Sequence, residues 1–450
     1  LSPSPRRPLR QAAAEILSAG LAAADPGRLV ASSLALKGGI LRVGERRIPV
    51  RGRLALLAVG KAASTMTAAA EAVLGAHLAE GLAIDTAPPQ KPLARTRVVV
   101  AGHPVPDERG LAAAREAEGI VGALGRDDVL LVLLSGGGSA LLPAPAPGIT
   151  LEAKAETTSL LLRAGATIHE LNTVRKHLSR LKGGGLARLA APARVVTLVL
   201  SDVVGDDLST IASGPTEPDP TTYADALSVL RTRGVRDKTP PAVKDHLTAG
   251  SRGETPETPK PGDPFFRRVT TRIVGSNRLT VEAAARKART LGFRPVILTT
   301  RLEGEAREVA RVLVAILREC VEDNRPGAPP LCLLCGGETT VTVLGSGRGG
   351  RNQELAVAAV PALSEFPGPA LLASLATDGV DGMSDGAGGV VDEKTLAQAA
   401  ALGLAPPSAF LKASDSRNFL GPVGGLILTG PTGTNVVDLT ILLAPRPRRR

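Results

Sequence analysis

Apolar runs alternate with helical stretches along the whole chain. Leu54–Val59 and Val129–Leu134 are uninterrupted apolar runs, the pattern of strands buried on both faces. Arg97–Ala101, Val195–Leu200, Val269–Val274, Pro295–Thr299, Leu331–Cys335, Thr340–Leu344 and Leu371–Ala376 read as further strands, with Leu426–Leu428 and Leu439–Leu443 as late ones. Between them, Gln11–Ala24, Thr67–Leu78, Arg109–Leu124, Leu151–Ala164, Ile168–Leu181, Val281–Leu291, Glu305–Val321 and Glu354–Val360 carry helical periodicity. That alternation predicts an α/β architecture with largely parallel sheets.

The ends of these strands are chemically alike. Leu54–Val59 runs into Gly60-Lys61, Arg97–Ala101 into Gly102-His103, and Val129–Leu134 into Ser135-Gly136-Gly137-Gly138-Ser139. Val195–Leu200 is followed by Ser201-Asp202-Val203-Val204-Gly205-Asp206-Asp207, and Leu371–Ala376 by Thr377-Asp378-Gly379. In a parallel sheet such ends share one rim, so residues distant in sequence meet there. Three successive glycines let a backbone turn sharply and offer several N–H groups to an anion. Thr248–Asp263 is polar, rich in Pro and Gly and without period, which marks a linker. The expected division is a domain over 9–247, a linker over 248–264 and a second domain over 265–445.

Composition narrows the classes. A chain of 450 residues with 43% hydrophobic and 22% charged residues fits a globular protein of two or three domains. No apolar run reaches the roughly 20 residues of a membrane helix. The net charge of +11 owes more than half its size to Arg6, Arg7, Arg10, Arg446, Arg448, Arg449 and Arg450 at the two ends. With one Tyr, six Phe and no Trp there are few stacking platforms for single-stranded nucleic acid. The modest remaining excess suits an anionic small substrate. Three cysteines exclude a disulfide framework, and Cys332 and Cys335 lie in an apolar strand pattern that reads as buried structural thiols. The expected compartment is cytoplasmic, and the expected partners are small molecules, with no nucleic acid and no membrane. A homodimer is an open assembly state.

Phosphoryl transfer needs cations and N–H groups around phosphate, a divalent ion held by carboxylates, and a group that positions the nucleophile. Lys61, between a strand and a helix, suits a phosphate or a developing negative charge. Arg348 and Arg351 sit in a loop of small residues before a helix. That loop also spells G-x-G-x-x-G (Gly345, Gly347, Gly350), a weak dinucleotide fingerprint because its strand is short and Arg348 intrudes. Asp202, Asp206 and Asp207 form one candidate Mg²⁺ group, and Asp378 and Asp381, with Asp385, another; the spacing of the second rejects an EF-hand. Lys176 or Lys182, on the charged stretch that also holds Asn172, Arg175 and Ser179, reaches toward the site in this reading, and His103 binds a substrate carboxylate or hydroxyl. There is no Walker A sequence and no G-x-S-x-G nucleophile elbow.

Taken together, Gly60-Lys61-Ala62, GHPVPD at Gly102–Asp107, SGGGSALLPAP at Ser135–Pro145, ELNTVRKHLSRLKGGGLA at Glu170–Ala187, SDVVGDDLSTIASGPT at Ser201–Thr216, GSN at Gly275–Asn277, GGETTVTV at Gly336–Val343, GSGRGGRNQELA at Gly345–Ala356 and ATDGVDG at Ala376–Gly382 resemble the D-glycerate 2-kinase family, whose C-terminal half is the MOFRL domain. The resemblance implies a Rossmann-like α/β/α N-terminal domain, a second α/β domain, and an active site in the cleft between them. It implies transfer of a phosphoryl group from ATP, with Mg²⁺, to the 2-hydroxyl of D-glycerate. Lys61 and Arg351 are then the catalytic candidates. Ser135, Gly136, Gly137, Gly138, Ser139, His103, Lys182, Arg348, Asn277 and Glu338 are the substrate- or phosphate-binding candidates, and Asp202, Asp206, Asp207, Asp378 and Asp381 the metal candidates. The competing readings are an NAD(P)-dependent hydroxypyruvate reductase using the Gly345–Gly350 loop, and a non-catalytic binding protein on the same scaffold.

Overall fold

The computed structural model describes residues 8–446; Arg6, Arg7, Arg448, Arg449 and Arg450 lie outside the described residues. The chain forms two compact units, one over Pro26–Val274 and one that joins Gly275 onward to the segment ending at Asp25. This differs from the expected boundaries at both ends. Helix α1 (Leu9–Ala23) buries Ala12, Ala13, Ile16 and Leu17 among Val281, Ala284, Leu439 and Ile441, so its apolar face belongs to the C-terminal unit. The polar stretch expected as a linker is largely secured to the first unit: its start completes a helix, Tyr223 N–H donates to Glu257, and Thr258 donates to Asp219.

The first unit opens with α2 (Pro26–Ser33) and an antiparallel meander, β1 (Leu34–Lys37), β2 (Ile40–Val43) and β3 (Arg46–Pro49). Its main sheet holds β4 (Leu54–Val59), β5 (Leu78–Asp85), β6 (Thr96–Val100), β7 (Val129–Leu134), β8 (Arg194–Leu200) and β9 (Val269–Gly275) in the order β6-β5-β4-β7-β8-β9. β6 through β8 pair in parallel. Helices α3 (Ala63–Leu74), α4 (Glu108–Gly122), α5 (Gly138–Leu141), α6 (Leu151–Arg163), α7 (Ile168–His177), α8 (Gly185–Ala190), α9 (Tyr223–Thr232) and α10 (Pro241–Ser251) complete it. β4 and β7 are buried along their whole length, as uninterrupted apolar runs require. Val59, Leu134 and Val199 stand in register, so the segments that follow β4, β7 and β8 leave the sheet side by side.

The second unit contains α11 (Asn277–Thr290), β10 (Arg294–Leu302), α12 (Ala306–Glu322), β11 (Leu331–Gly337), α13 (Arg351–Ser364), β12 (Leu371–Ala376), β13 (Gly388–Asp392), α14 (Thr395–Ala401), α15 (Pro407–Lys412), α16 (Ser416–Leu420), β14 (Leu426–Ile427) and β15 (Asp438–Ala444). Its sheet runs β10-β11-β15-β12-β13-β14, and only β10 and β11 pair in parallel. The largely parallel arrangement expected thus holds for the first unit's sheet, while this second sheet is mixed, with the last strand inserted antiparallel between β11 and β12. Thr340–Leu344 is not a strand: beyond β11 the chain makes only an isolated bridge from Thr340 to Glu305. Cys332 and Cys335 are free, buried and on opposite faces of β11, as alternation predicts, and burial pushes both thiols up.

Candidate active site

In the first unit the rim of the parallel sheet gathers Gly60-Lys61, Ser135–Ser139 and Asp202. Ser135 anchors the turn: its Oγ accepts from Ala62 N–H at 3.0 Å, while Lys61 N–H donates to Gly136 O at 2.8 Å. The glycines are steric requirements. A Cβ on Gly136 would sit 2.1 Å from the Asp202 carboxylate, and Gly137 is left-handed at φ +87° with the His103 ring against it. The loop thus brings Lys61, His103 and Asp202 around itself. Among the described residues, the N–H groups of Gly136, Gly137, Gly138 and Ser139 donate to no protein acceptor. A run of open amides next to an ammonium is an anion cradle.

Among the described residues, Lys61, His103 and Asp202 form no ion pair. Burial, then the Lys61 ammonium, lowers the His103 imidazole from 6.5, so it is neutral near pH 7. Burial raises the Asp202 carboxyl, with Lys61 opposing the shift. Ser139 shares a 2.8 Å hydrogen bond with Ser213, whose hydroxyl donates to Asn172 Oδ1. Ala212 and Ser213 hold positive φ of 51° and 62°, conformations strained for residues with a Cβ, exactly where this relay passes.

Helix α7 ends at His177, earlier than the expected Leu181, so Ser179 and Lys182 lie beyond it. Lys176 is buried and pairs with Asp219 at 3.4 Å. Lys182 is only 2% exposed and donates to Leu142 O; burial, then Arg175, brings its ammonium to about 7. The charged helix face read from the sequence is therefore an interior one.

The other carboxylates of the first metal candidate are engaged or displaced. Asp207 accepts from Ser209 and Thr210, closing its own turn, and Asp206 is left-handed at φ +60°. Among the described residues no three His, Cys, Asp or Glu side chains converge as a metal-ligand group. Mg²⁺ needs only one or two protein carboxylates when phosphates and waters supply the rest. Asp202, with no side-chain partner holding its oxygens among the described residues, fits that requirement.

In the second unit Arg351 is the centre. Its Nε and Nη2 form a fork with Asp438 at 2.6 and 3.0 Å, and Nη1 meets Glu338 at 2.8 Å. The antiparallel insertion explains this: Asp438, the first residue of β15, stands opposite Gly337 and Ala376, the last residues of its two neighbours. Asp381 is buried and accepts from the backbone and side chains of Asn352 and Gln353, so it caps α13 from a separate loop. Asp378 accepts from Val380 N–H in a turn of its own, and Asp385 pairs with Arg417. Asn277 is buried, its amide donating to the carbonyls of Val436 and Asp438. Arg348 is exposed, and its N–H donates to Asp415.

The G-x-G-x-x-G stretch owes its glycines to packing. A Cβ on Gly345 would meet the Ala413 carbonyl at 2.4 Å, one on Gly347 the Asp415 Cβ at 2.3 Å, and one on Gly350 the Asp381 backbone at 2.3 Å. The loop lies against its own protein, which removes the structural basis for a dinucleotide reading. Sequence reasoning missed Asp438 and Ser213. A lone acid opening a late strand was the only signal of the first. Nothing marked the second apart from its place in a Ser-Gly-Pro-Thr loop.

The parallel rim, with its open amides and a lysine beside them, has the make-up of an α/β enzyme site suited to anionic small molecules. The comparisons carry this further. Residues 12–248 match a domain of unknown function designated DUF4147, and residues 331–438 match the MOFRL family. The chain is 41% identical to a glycerate 2-kinase of Pyrococcus horikoshii, over 98% of this chain and 99% of that one. It is 40% identical to a putative hydroxypyruvate reductase of Agrobacterium vitis, over 96% and 94%. Its fold is similar to the crystal structure of a glycerate kinase from Thermotoga maritima, with a TM-score of 0.86 and 41% identity over 97% of this chain and 99% of that one. The chain belongs to the glycerate 2-kinase family, with the two-domain α/β fold of its relatives. Among the described residues no helix is long and apolar enough to cross a membrane.

Proposed function

We propose that this chain transfers the terminal phosphoryl group of ATP to the 2-hydroxyl of D-glycerate, giving 2-phospho-D-glycerate and ADP. The observation that carries the reading is the run of open amides from Gly136 to Ser139 with Lys61 beside it. Those amides hold phosphate oxygens, and the Lys61 ammonium meets the charge that develops as the phosphoryl group moves. His103, neutral at working pH, accepts the hydrogen bond of the attacking hydroxyl and orients it. Asp202 would hold Mg²⁺ together with phosphate oxygens, and the bound ion supplies neutralisation of phosphate charge.

Arg351 is assigned the second cationic role. Asp438 and Glu338 fix its orientation, and the N–H donors they leave over suit phosphoryl oxygens. Arg348 is a phosphate contact in the same reading. Asn277 supports the start of β15, and Lys182 adds charge behind the loop without touching substrate. A cytoplasmic location fits the three free thiols, and a homodimer is the assembly to test.

Phosphorus NMR of the product formed from ATP and D-glycerate tests both reaction and position. A 2-phosphate signal is expected; a 3-phosphate signal, or none, removes the proposal. The reductase reading has lost its nucleotide loop, and absence of NADH oxidation with hydroxypyruvate is the matching expectation.

A further inference from the structure

Behind the glycine loop the first unit buries cations without buried anions to match. The Lys154 ammonium donates to the carbonyls of Pro143 and Leu178, and that of Lys182 to Leu142. Each is at most 5% exposed. Arg175 lies close enough to lower both of these ammonium groups. The nearby carboxylates have other partners: Asp219 serves Lys176, Thr221 and Thr258, Glu118 serves Arg180, and Asp207 serves Ser209 and Thr210.

Arg175 itself makes no hydrogen bond or ion pair among the described residues, although it is half-buried. Its position is not incidental. It stands one helical turn after Asn172 on α7, and Asn172 is tied through Ser213 to Ser139 of the loop. A desolvated guanidinium with its planar fork unused, among lysines already spent on carbonyls, is unfavourable until an oxyanion joins it. The fork matches a carboxylate in two parallel hydrogen bonds. Phosphate already has the open amides and Lys61.

We propose that Arg175 binds the carboxylate of the hydroxy-acid substrate and so selects acids over neutral polyols. This rests on the kinase reading above. Lys154 and Lys182 are positioning residues that hold the carbonyls of Leu142, Pro143 and Leu178.

The test compares the whole protein with its R175A and R175K variants in two assays. In steady-state kinetics, R175A is expected to raise KM for D-glycerate about 10- to 100-fold, the worth of a charge-assisted hydrogen bond. KM for ATP should stay within about threefold, kcat should fall less than KM rises, and R175K should recover part of the loss. In thermal unfolding without nucleotide, D-glycerate should raise Tm of the natural protein and not of R175A. Without ligand, R175A should unfold at the same or a higher temperature, because it relieves repulsion with Lys154 and Lys182. An unchanged KM for D-glycerate overturns the proposal, as does a rise in KM for ATP in its place, which would assign Arg175 to nucleotide phosphate. A lower Tm of unliganded R175A, with both KM values moved together, makes Arg175 structural and also overturns it. If the natural protein fails to phosphorylate D-glycerate, the kinase reading falls first, and the D-glycerate Tm shift still decides whether Arg175 binds the acid.

Discussion

The two glycine-rich loops look interchangeable in sequence and do opposite things. In Ser135–Ser139 the absent Cβ atoms leave room for charged and polar side chains: Asp202 beside Gly136, His103 and Lys61 beside Gly137. The amides stay open and the charges stay unpaired. In Gly345–Gly350 the space belongs to backbone and fixed side chains of the same unit, and Arg351 beyond it is locked between two carboxylates. A glycine pattern thus states that something approaches closely. Only the identity of the neighbour separates a ligand cradle from a packing seam.

The largest expected contrast lies at the two cations. Lys61→Ala should lower kcat about 10²–10³-fold, the usual loss for one charge-stabilising donor, and leave Tm nearly unchanged, because Lys61 is exposed and has no ion pair among the described residues. Arg351→Ala should lower turnover and also destabilise by about 3 kcal/mol, since it strands the buried Asp438 carboxylate. Chemical denaturation beside turnover measurement separates the two. Equal stability of both variants would break the distinction between an open and a locked charge.

The glycines themselves come next. Gly136→Ala pushes the Asp202 carboxylate off the loop and is expected to cost about 10²-fold in kcat, as misplacement of a reacting group does, with a small change in Tm. Gly347→Ala forces Asp415 and the Ala413 carbonyl apart and should destabilise by about 1–3 kcal/mol while kcat of the folded fraction holds. The opposite assignment of effects would reverse the roles of the two loops.

How much of this was legible follows from the same contrast. The apolar runs of β4, β7 and β8 were plain because a strand buried on both faces carries no alternation to misread. The convergence of Lys61, His103, Asp202 and the glycine loop followed, since parallel strand ends share a rim. β5 was missed: Leu78–Asp85 contains Gly81 and Glu80, and its start was read as the end of the preceding helix. The pairing of Arg351 was hidden by topology. Arg351 and Asp438 are far apart in sequence, and no local pattern shows that the last strand enters antiparallel between β11 and β12. Likewise, α7 reads as a solvated charged face because periodicity cannot tell that the unit folds over it.

A smaller effect separates the loops by pH. With His103 needed neutral, kcat/KM should fall as pH drops through the lowered His103 value, below 6.5, and His103→Gln should remove that limb. The second loop offers no titration in this range: Arg351 stays charged, its pairing with Asp438 raising it further against burial.

The smallest expected effect concerns the helix that carries Asn172 and Arg175 to the first loop. Glu170 closes the capping box of α7 with Thr167 and pairs with Arg233, and these contacts, led by Arg233, hold its carboxyl down to about 2 from 4.5. A depressed carboxyl contributes stability that is fully present above 4.5 and is lost as pH falls toward 2. The pair is partly exposed, so Glu170→Gln should destabilise by about 1 kcal/mol or less at pH 7. The difference between variant and natural protein should vanish as pH falls through that window. Because α7 carries Asn172 of the relay and Arg175, the variant should also raise KM for D-glycerate slightly more than KM for ATP. An equal rise in both would show that the helix end serves the fold alone.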